Sequence, residues 1–140
     1  MILLVRFFNL NYDADPKSIG MNSNQFIECP SSPNCISTMT SQKEKLIDAI
    51  SYSEDFNFVR DRLTILFHQL NNAKLIEYDS TYFHLEFRTF PLAFTDDVEV
   101  FIDRQAKLIH FKSASRLGHY DFGTNRRRLE KIRSLYLSIE

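Results

Sequence analysis

Two segments of the chain repeat apolar residues at the spacing of an amphipathic helix. One predicted helix begins at Phe56 and runs about four turns to near Asn71, and the other runs from about Thr124 to Ser138. The stripe of the first consists of Phe56, Val59, Leu63, Leu66 and Leu70, and that of the second of Leu129, Ile132, Leu135, Tyr136 and Ile139. Each helix is therefore expected to bury one face.

Between these helices, four short segments alternate apolar and polar residues, which is typical of strands. They cover residues 75–78, 82–88, 98–102 and 109–111, and residues 47–52 are a candidate for an added edge strand. In the second segment Phe83, Leu85 and Phe87 fall on one face, and His84, Glu86 and Arg88 on the other. Short turns between the strands favour an antiparallel meander, with both helices on one face and solvent on the other.

The length of 140 residues fits one domain. Residues 1–45 are rich in Asn, Ser, Asp and Pro and lack periodicity, so they are expected to form a largely irregular N-terminal arm before a compact core at 46–140. The predicted fold class is α+β: a four- to five-stranded antiparallel meander sheet with two helices packed on one face.

The charge is unevenly distributed along the chain. Residues 1–103 carry 8 Lys/Arg against 15 Asp/Glu, whereas residues 104–140 carry 9 against 3. We expect the basic segment to be neutralised by the acidic remainder, and no nucleic-acid partner, because no run of Lys/Arg exceeds three and no aromatic-interleaved RNA motif is present.

No segment has the about 20 consecutive apolar residues of a membrane span. The apolar opening stretch at residues 1–5 is interrupted by Arg6 and lacks a basic region and a cleavage site. The chain is accordingly expected to be cytoplasmic.

The start of the second helix carries Arg126, Arg127 and Arg128. The helical wheel directs Arg128 and Asn125 towards the sheet, Arg127 towards solvent and Arg126 to the flank. Cations are unfavourable at a helix N-terminus, so a negative group is expected nearby: Asp121, the Asp96–Asp97 pair, or a bound phosphate or carboxylate.

The segment before this helix adds Ser113, Ser115, Arg116 and Gly118. One interpretation is a satisfied network in which Arg116 and Arg128 bridge Asp97 and Asp121. A second is an anion site at which Arg116, Arg126 and Arg128 converge. The third is a catalytic site, although adjacent aspartates on a strand point to opposite faces.

Cys29 and Cys35 flank a loop with two prolines. We favour two reduced thiols, with a disulfide and two metal ligands as alternatives. A metal site is not expected, because the four histidines show no ligand-type spacing relative to the cysteines. No cofactor is expected either.

Three blocks together resemble the family called domain of unknown function 1499: CPSSPNCIS at 29–37, FTDDVE at 94–99, and SASRLG at 113–118 followed by DFGTNRRR at 121–128. The resemblance spans about residues 28–137. It implies that the family pattern occupies Cys29, Asn34, Cys35, Asp96, Asp97, Ser113, Ser115, Arg116, Gly118, Asp121, Asn125, Arg126 and Arg128. It implies no reaction. Many relatives carry an export or membrane-targeting segment, which is not evident here.

From this we expect a non-catalytic binding or assembly module with an anion site at the start of the second helix, whose partner is an anionic small molecule or a protein. The alternative is a small hydrolase or transferase with Asp97 as base and Arg116 as electrostatic stabiliser. A purely structural domain is the third hypothesis.

Overall fold

A six-stranded antiparallel sheet with two α-helices on one face forms the fold. The computed structural model describes residues 19–89, 94–118 and 120–139. The strands are β1 (Met21–Asn22), β2 (Gln25–Phe26), β3 (Cys35–Ser37), β4 (Ile50–Ser51), β5 (Ala73–Tyr78), β6 (Tyr82–Thr89), β7 (Phe94–Asp103) and β8 (Leu108–Ser115). The helices are α1 (Phe56–Gln69) and α2 (Thr124–Ser138), and a 3-10 turn covers Lys43–Lys45.

The main sheet has the order β3-β8-β7-β6-β5, with β4 also paired to β8. The four long strands are consecutive in the chain and pair as the predicted meander, which confirms the α+β class. The sheet has six strands instead of four to five because β3, within the predicted arm, adds to the edge of β8. β4 falls within residues 47–52, the candidate edge strand. The first 18 residues of the arm lie outside the described residues.

The face of the sheet that carries the two helices holds the main hydrophobic core. Phe83, Leu85, Val98, Val100 and Ile102 point into it from β6 and β7 and are fully buried. The apolar stripes of both helices cover them, as the helical periodicity predicted. The α1 helix begins where the Asp55 side chain accepts a hydrogen bond from the backbone of Asn57 at 3.0 Å.

The opposite face of the sheet is covered by the described part of the arm, so the expectation that it is solvated was wrong. Phe26 packs there against Tyr82 and Phe101. His84 is 5 % exposed, although its alternation with phenylalanines had placed it on the predicted solvent face. We call the two sides the helix face and the arm face.

Candidate functional site

Asp96 and Asp97 lie on opposite faces of β7, as the pleat of a strand requires. Both residues are 3 % exposed, so each carboxylate is removed from water. Asp96 faces the helices and Asp97 faces the arm, and each meets a different arginine. A buried carboxylate needs such a partner, because an unpaired buried charge is very costly.

On the arm face, Arg116 forms a two-pronged ion pair with Asp97. Its Nε lies 2.8 Å from Asp97 Oδ2 and its Nη2 2.9 Å from Oδ1. The same Nη2 also donates to Glu86 Oε1 at 2.5 Å, and His84 Nε2 lies 2.8 Å from Asp97 Oδ1. Burial acts to raise the pKa of Asp97, but the hydrogen bonds from Arg116 and His84 outweigh it and lower that pKa.

A second buried charge pair extends the arm-face network along the same strands. Lys112 Nζ lies 3.6 Å from Glu99 Oε2, and both side chains are almost fully buried. Tyr82 donates to Glu99 Oε1 at 2.7 Å, and the backbone N–H of Gly20 donates to the same oxygen at 2.8 Å. Lys112 in turn donates to the carbonyl of Ile27 at 2.7 Å. The hydrogen bonds of Glu99 with Gly20 and of Lys112 with Ile27 therefore connect the arm to the sheet.

On the helix face, Arg128 pairs with Asp96 across a distance of 2.7 Å between Nη2 and Oδ2. Its Nη1 donates to Asn125 Oδ1 at 2.9 Å and to Ser113 Oγ at 3.2 Å. The guanidinium also lies 5.0 Å from the centre of the Phe87 ring. Burial raises the pKa of Asp96 even against the lowering effect of Arg128.

Asp121 caps the start of α2. Its Oδ1 accepts from the backbone of Gly123 at 2.9 Å, and its Oδ2 accepts from the backbone and the side-chain amide of Asn125 at 3.1 and 2.8 Å. Gly123 has φ 77°, a left-handed conformation that glycine adopts readily. The fully buried Asn125 amide also donates to Ser115 Oγ at 2.9 Å and to the carbonyl of Asn34 at 3.2 Å. The negative group expected at this helix start thus includes the chain's own Asp121.

The structure joins Cys29 and Cys35 in a disulfide, so the reduced thiols that we favoured are wrong. Both cysteines are buried on the arm face. In the same loop, the Asn34 amide donates to the carbonyl of Gly118 at 2.6 Å, which ties the loop to the segment before α2. Among the described residues, no group of three or more His, Cys, Asp or Glu side chains is placed to hold a metal ion.

The three arginines that the anion hypothesis brought together lie apart. Arg116 is on the arm face and Arg128 on the helix face. Arg126 lies on the flank of α2 and donates to the backbone carbonyls of Glu44 and Leu46 at 2.9 and 3.4 Å. Arg127 is exposed, as the helical wheel indicated.

A recess of about 360 Å³, which we call the basic recess, lies between the first turns of α2 and the ends of β6 and α1. The residues that line it are Leu70, Asn72, Phe87, Arg88, Thr89, Thr124, Arg127, Arg128, Lys131 and Ile132. Of these described residues, four are cationic and none is acidic. Leu70, Phe87 and Ile132 are its apolar lining residues.

A neighbouring recess of about 400 Å³, the aromatic recess, lies beside the loop that leads into α2. Its lining residues are Thr89, Phe94, Asp96, Ser115, Leu117, Gly118, Tyr120, Asp121, Phe122 and Thr124. On the arm face, a smaller cavity of about 100 Å³ reaches the paired Asp97 and Arg116.

Sequence reasoning missed two groups of residues in these networks and recesses. His84 and Glu86 were assigned to a solvated face, because alternation alone does not reveal that an irregular segment covers the sheet. Arg127 and Lys131 were not connected, although their separation of four residues places them side by side on a helix. That spacing was the available signal for the basic recess.

The family model described as "Protein of unknown function (DUF1499)" matches residues 25–135. The chain belongs to this family. No curated protein matches the chain. In the ranges that the structure describes, no helix is long and apolar enough to cross a membrane.

Proposed function

We propose that this DUF1499 domain is a non-catalytic binding module that captures a phosphate or carboxylate group in the basic recess. The observation that carries the proposal is the lining of that recess: the exposed cations Arg127 and Lys131 lie there beside Arg88 and Arg128, and none of the described lining residues is acidic. A concave surface with one sign of charge concentrates ions of the other sign.

The arrangement of charges at the start of α2 supports an anionic ligand. Arg127 and Lys131 are one turn apart on the exposed surface of the helix, where like charges repel each other. The positive end of the helix macrodipole, which Asp121 offsets in part, is also close to Arg127. Arg127 directs its guanidinium back towards that end, where it donates to the carbonyl of Phe122 at 2.7 Å and to Thr124 Oγ1 at 3.4 Å. A bound anion would relieve the repulsion and accept hydrogen bonds from several donors.

The proposed site keeps the location that the sequence indicated but assigns ligand binding chiefly to Arg127 and Lys131. The charges of Arg116 and Arg128 are already matched by internal carboxylates, and those of Arg127 and Lys131 lie at the surface. The polar network of the family pattern then serves to hold the helix start in place, and the surface cations bind the ligand.

The geometry gives less support to the hydrolase or transferase hypothesis. Asp97 is held in a direct two-pronged pair with Arg116, and its pKa is lowered, whereas a general base works best with a pKa near the operating pH. The adjoining cavity of about 100 Å³ is small for a substrate when compared with the roughly 300–1,000 Å³ of ordinary ligand pockets.

Isothermal titration calorimetry with inorganic phosphate and with acetate tests the proposal. We expect saturable binding, weakened about tenfold or more in the double variant Arg127→Ala/Lys131→Ala, since each hydrogen bond to a charged group contributes about 1.5–3 kcal/mol. The matched control is Lys43→Ala/Lys107→Ala, which removes the same charge from exposed positions that do not line the recess. Absence of binding, or an equal loss in the control, would contradict the proposal.

The disulfide between Cys29 and Cys35 supports an oxidising compartment for this module, rather than the cytoplasm expected from the sequence. Thiol titration of protein isolated without reductant tests this point. Two reactive thiols per denatured chain would contradict it.

A further inference from the structure

We infer that the ligand is a zwitterion whose anionic group occupies the basic recess and whose organic ammonium group occupies the aromatic recess beside it. This inference rests on the proposed function and adds the second half of the ligand. It follows from the opposite chemistry of two recesses that adjoin each other.

The aromatic recess presents ring faces to a ligand. The rings of Tyr120 and Phe122 have centroids 5.3 Å apart and planes at 70°, so they form two walls of a corner. Both lie largely in water, with 66 % and 79 % of their surface exposed. Phe122 also has φ 53°, a left-handed conformation that is unfavourable for a bulky residue. The large apolar ring of Phe122 therefore lies outside the core on a residue whose backbone conformation is strained.

Among the described residues that line this recess, two are acidic and none is basic, although Arg127 contacts the backbone carbonyl of Phe122. Asp121 and Asp96 line the same recess, and the charge of Asp96 is matched by Arg128. The partners of Asp121 are N–H groups of Gly123 and Asn125, and none of the described residues forms an ion pair with it. Asp121 thus offsets the positive end of α2 and lacks a cationic side-chain partner among the described residues, so its charge also acts on a cation in the recess. Aromatic faces with a nearby negative charge favour organic cations, and quaternary ammonium groups in particular.

The two recesses share Thr89 and Thr124 in their linings. An anion between Arg127 and Lys131 and a cation against Tyr120 would therefore belong to one small molecule with a short linker. A simple anion would leave the aromatic corner empty, and a simple cation would be repelled by the exposed charges of Arg127 and Lys131. A zwitterion can place its anionic group in the basic recess and its ammonium group in the aromatic recess at the same time.

Calorimetry with phosphocholine, compared with inorganic phosphate and choline, tests the inference. We expect phosphocholine to bind more tightly than either fragment. Tyr120→Ala should weaken phosphocholine binding about threefold or more, in the range of cation–π contributions, and leave phosphate binding unchanged. Tyr120→Phe should retain the affinity. Tyr78→Ala removes a tyrosine of similar exposure, 58 %, from outside the recess and is the matched control.

The charge of Asp121 gives a second test. Asp121→Asn keeps one acceptor oxygen for the start of the helix, removes the charge and replaces the second acceptor with a donating amide. It should weaken phosphocholine binding and leave phosphate binding equal or tighter. Should this variant fail to fold, Tyr120→Ala alone decides the outcome.

The possible outcomes separate this inference from the proposed function. Phosphate binding that depends on Arg127 and Lys131, with phosphocholine no tighter and insensitive to Tyr120, would overturn the zwitterion and leave the anion site intact. If neither phosphate nor phosphocholine binds, both the zwitterion inference and the proposed function are overturned. Competition by phosphatidylcholine vesicles would identify a lipid headgroup as the source of the zwitterion, and binding of free phosphocholine without such competition would identify a soluble metabolite.

Discussion

The two faces of the central sheet bury charge in different ways. The helix face is an apolar core with the Asp96–Arg128 ion pair at its edge. The arm face carries a network of charges, in which Asp97 meets Arg116 and Glu99 meets Lys112, beneath a segment with little regular structure. The central strands β7 and β8 are largely buried on both faces, but mainly by apolar side chains on the helix face and by paired charges on the arm face.

This difference shows why the family pattern need not mark a ligand site. Buried charges are retained where partners and hydrogen bonds compensate for lost hydration. Asp96, Asp97, Arg116 and Arg128 meet that condition within the chain. Arg127 and Lys131 of the basic recess lie at the surface instead, and for that reason the proposed function uses them.

The largest expected effect comes from breaking the ion pair on either face. Arg116→Ala leaves Asp97 buried without its cation, and Arg128→Ala does the same to Asp96, so each should lower the free energy of unfolding by about 3–5 kcal/mol. Chemical denaturation measures this loss, with Arg127→Ala as an exposed control that should change stability by less than about 0.5 kcal/mol. A change of only a few tenths for Arg116→Ala would mean that the arm face is open to water in solution.

Reduction of the disulfide should have an intermediate effect, confined to the arm face. The loop between Cys29 and Cys35 is short, with a sequence separation of 6, so the chain-entropy model gives a loss of about 2 kcal/mol. Hydrogen exchange should show lower protection in β3 and the arm, while the core of α2 keeps its protection. Equal loosening of both faces would contradict the distinction between them.

The smallest expected effect is in the pH dependence of stability, and it has opposite signs on the two faces. The pKa of Asp97 is lowered in the folded state. Its contribution to the free energy of unfolding is therefore present above the pKa of the unfolded chain, about 3.9, and is lost as the pH falls through the pKa of the folded state. The pKa of Asp96 is raised, so the folded state takes up a proton first and gains stability as the pH falls through that raised value.

Chemical denaturation of the wild type, Asp97→Asn and Asp96→Asn between pH 2 and 6 measures how the free energy of unfolding of each depends on pH. The stability advantage of the wild type over Asp97→Asn should shrink towards acid. The free energy of unfolding of the wild type should rise relative to that of Asp96→Asn as the pH falls. Parallel curves for the two variants would contradict the assigned directions.

Much of the helix face could be predicted from the sequence, because local patterns determine it. The α2 helix spans Thr124–Ser138 as its apolar stripe indicated, and α1 begins at Phe56. The meander of β5 to β8 followed from alternation and short turns. The direction of Arg128 towards the sheet also followed from helical geometry.

The arm face could not be predicted in this way. Lys112 and Glu99 alternate with apolar residues as solvent-facing side chains do, and their burial results from contacts with residues far away in sequence, such as Ile27. The pairing of Cys29 with Cys35 was likewise one of three open alternatives.

The sequence by itself determined the helices, the four long strands, the family and the end of the molecule where charge accumulates, because these depend on residue spacing within short segments. Only the tertiary structure decided which carboxylate pairs with which arginine, and which cations are left to line a recess. The physical reason is that the energy of a charge depends on its distance to other charges and on its burial, and both are set by segments that meet only when the chain has folded.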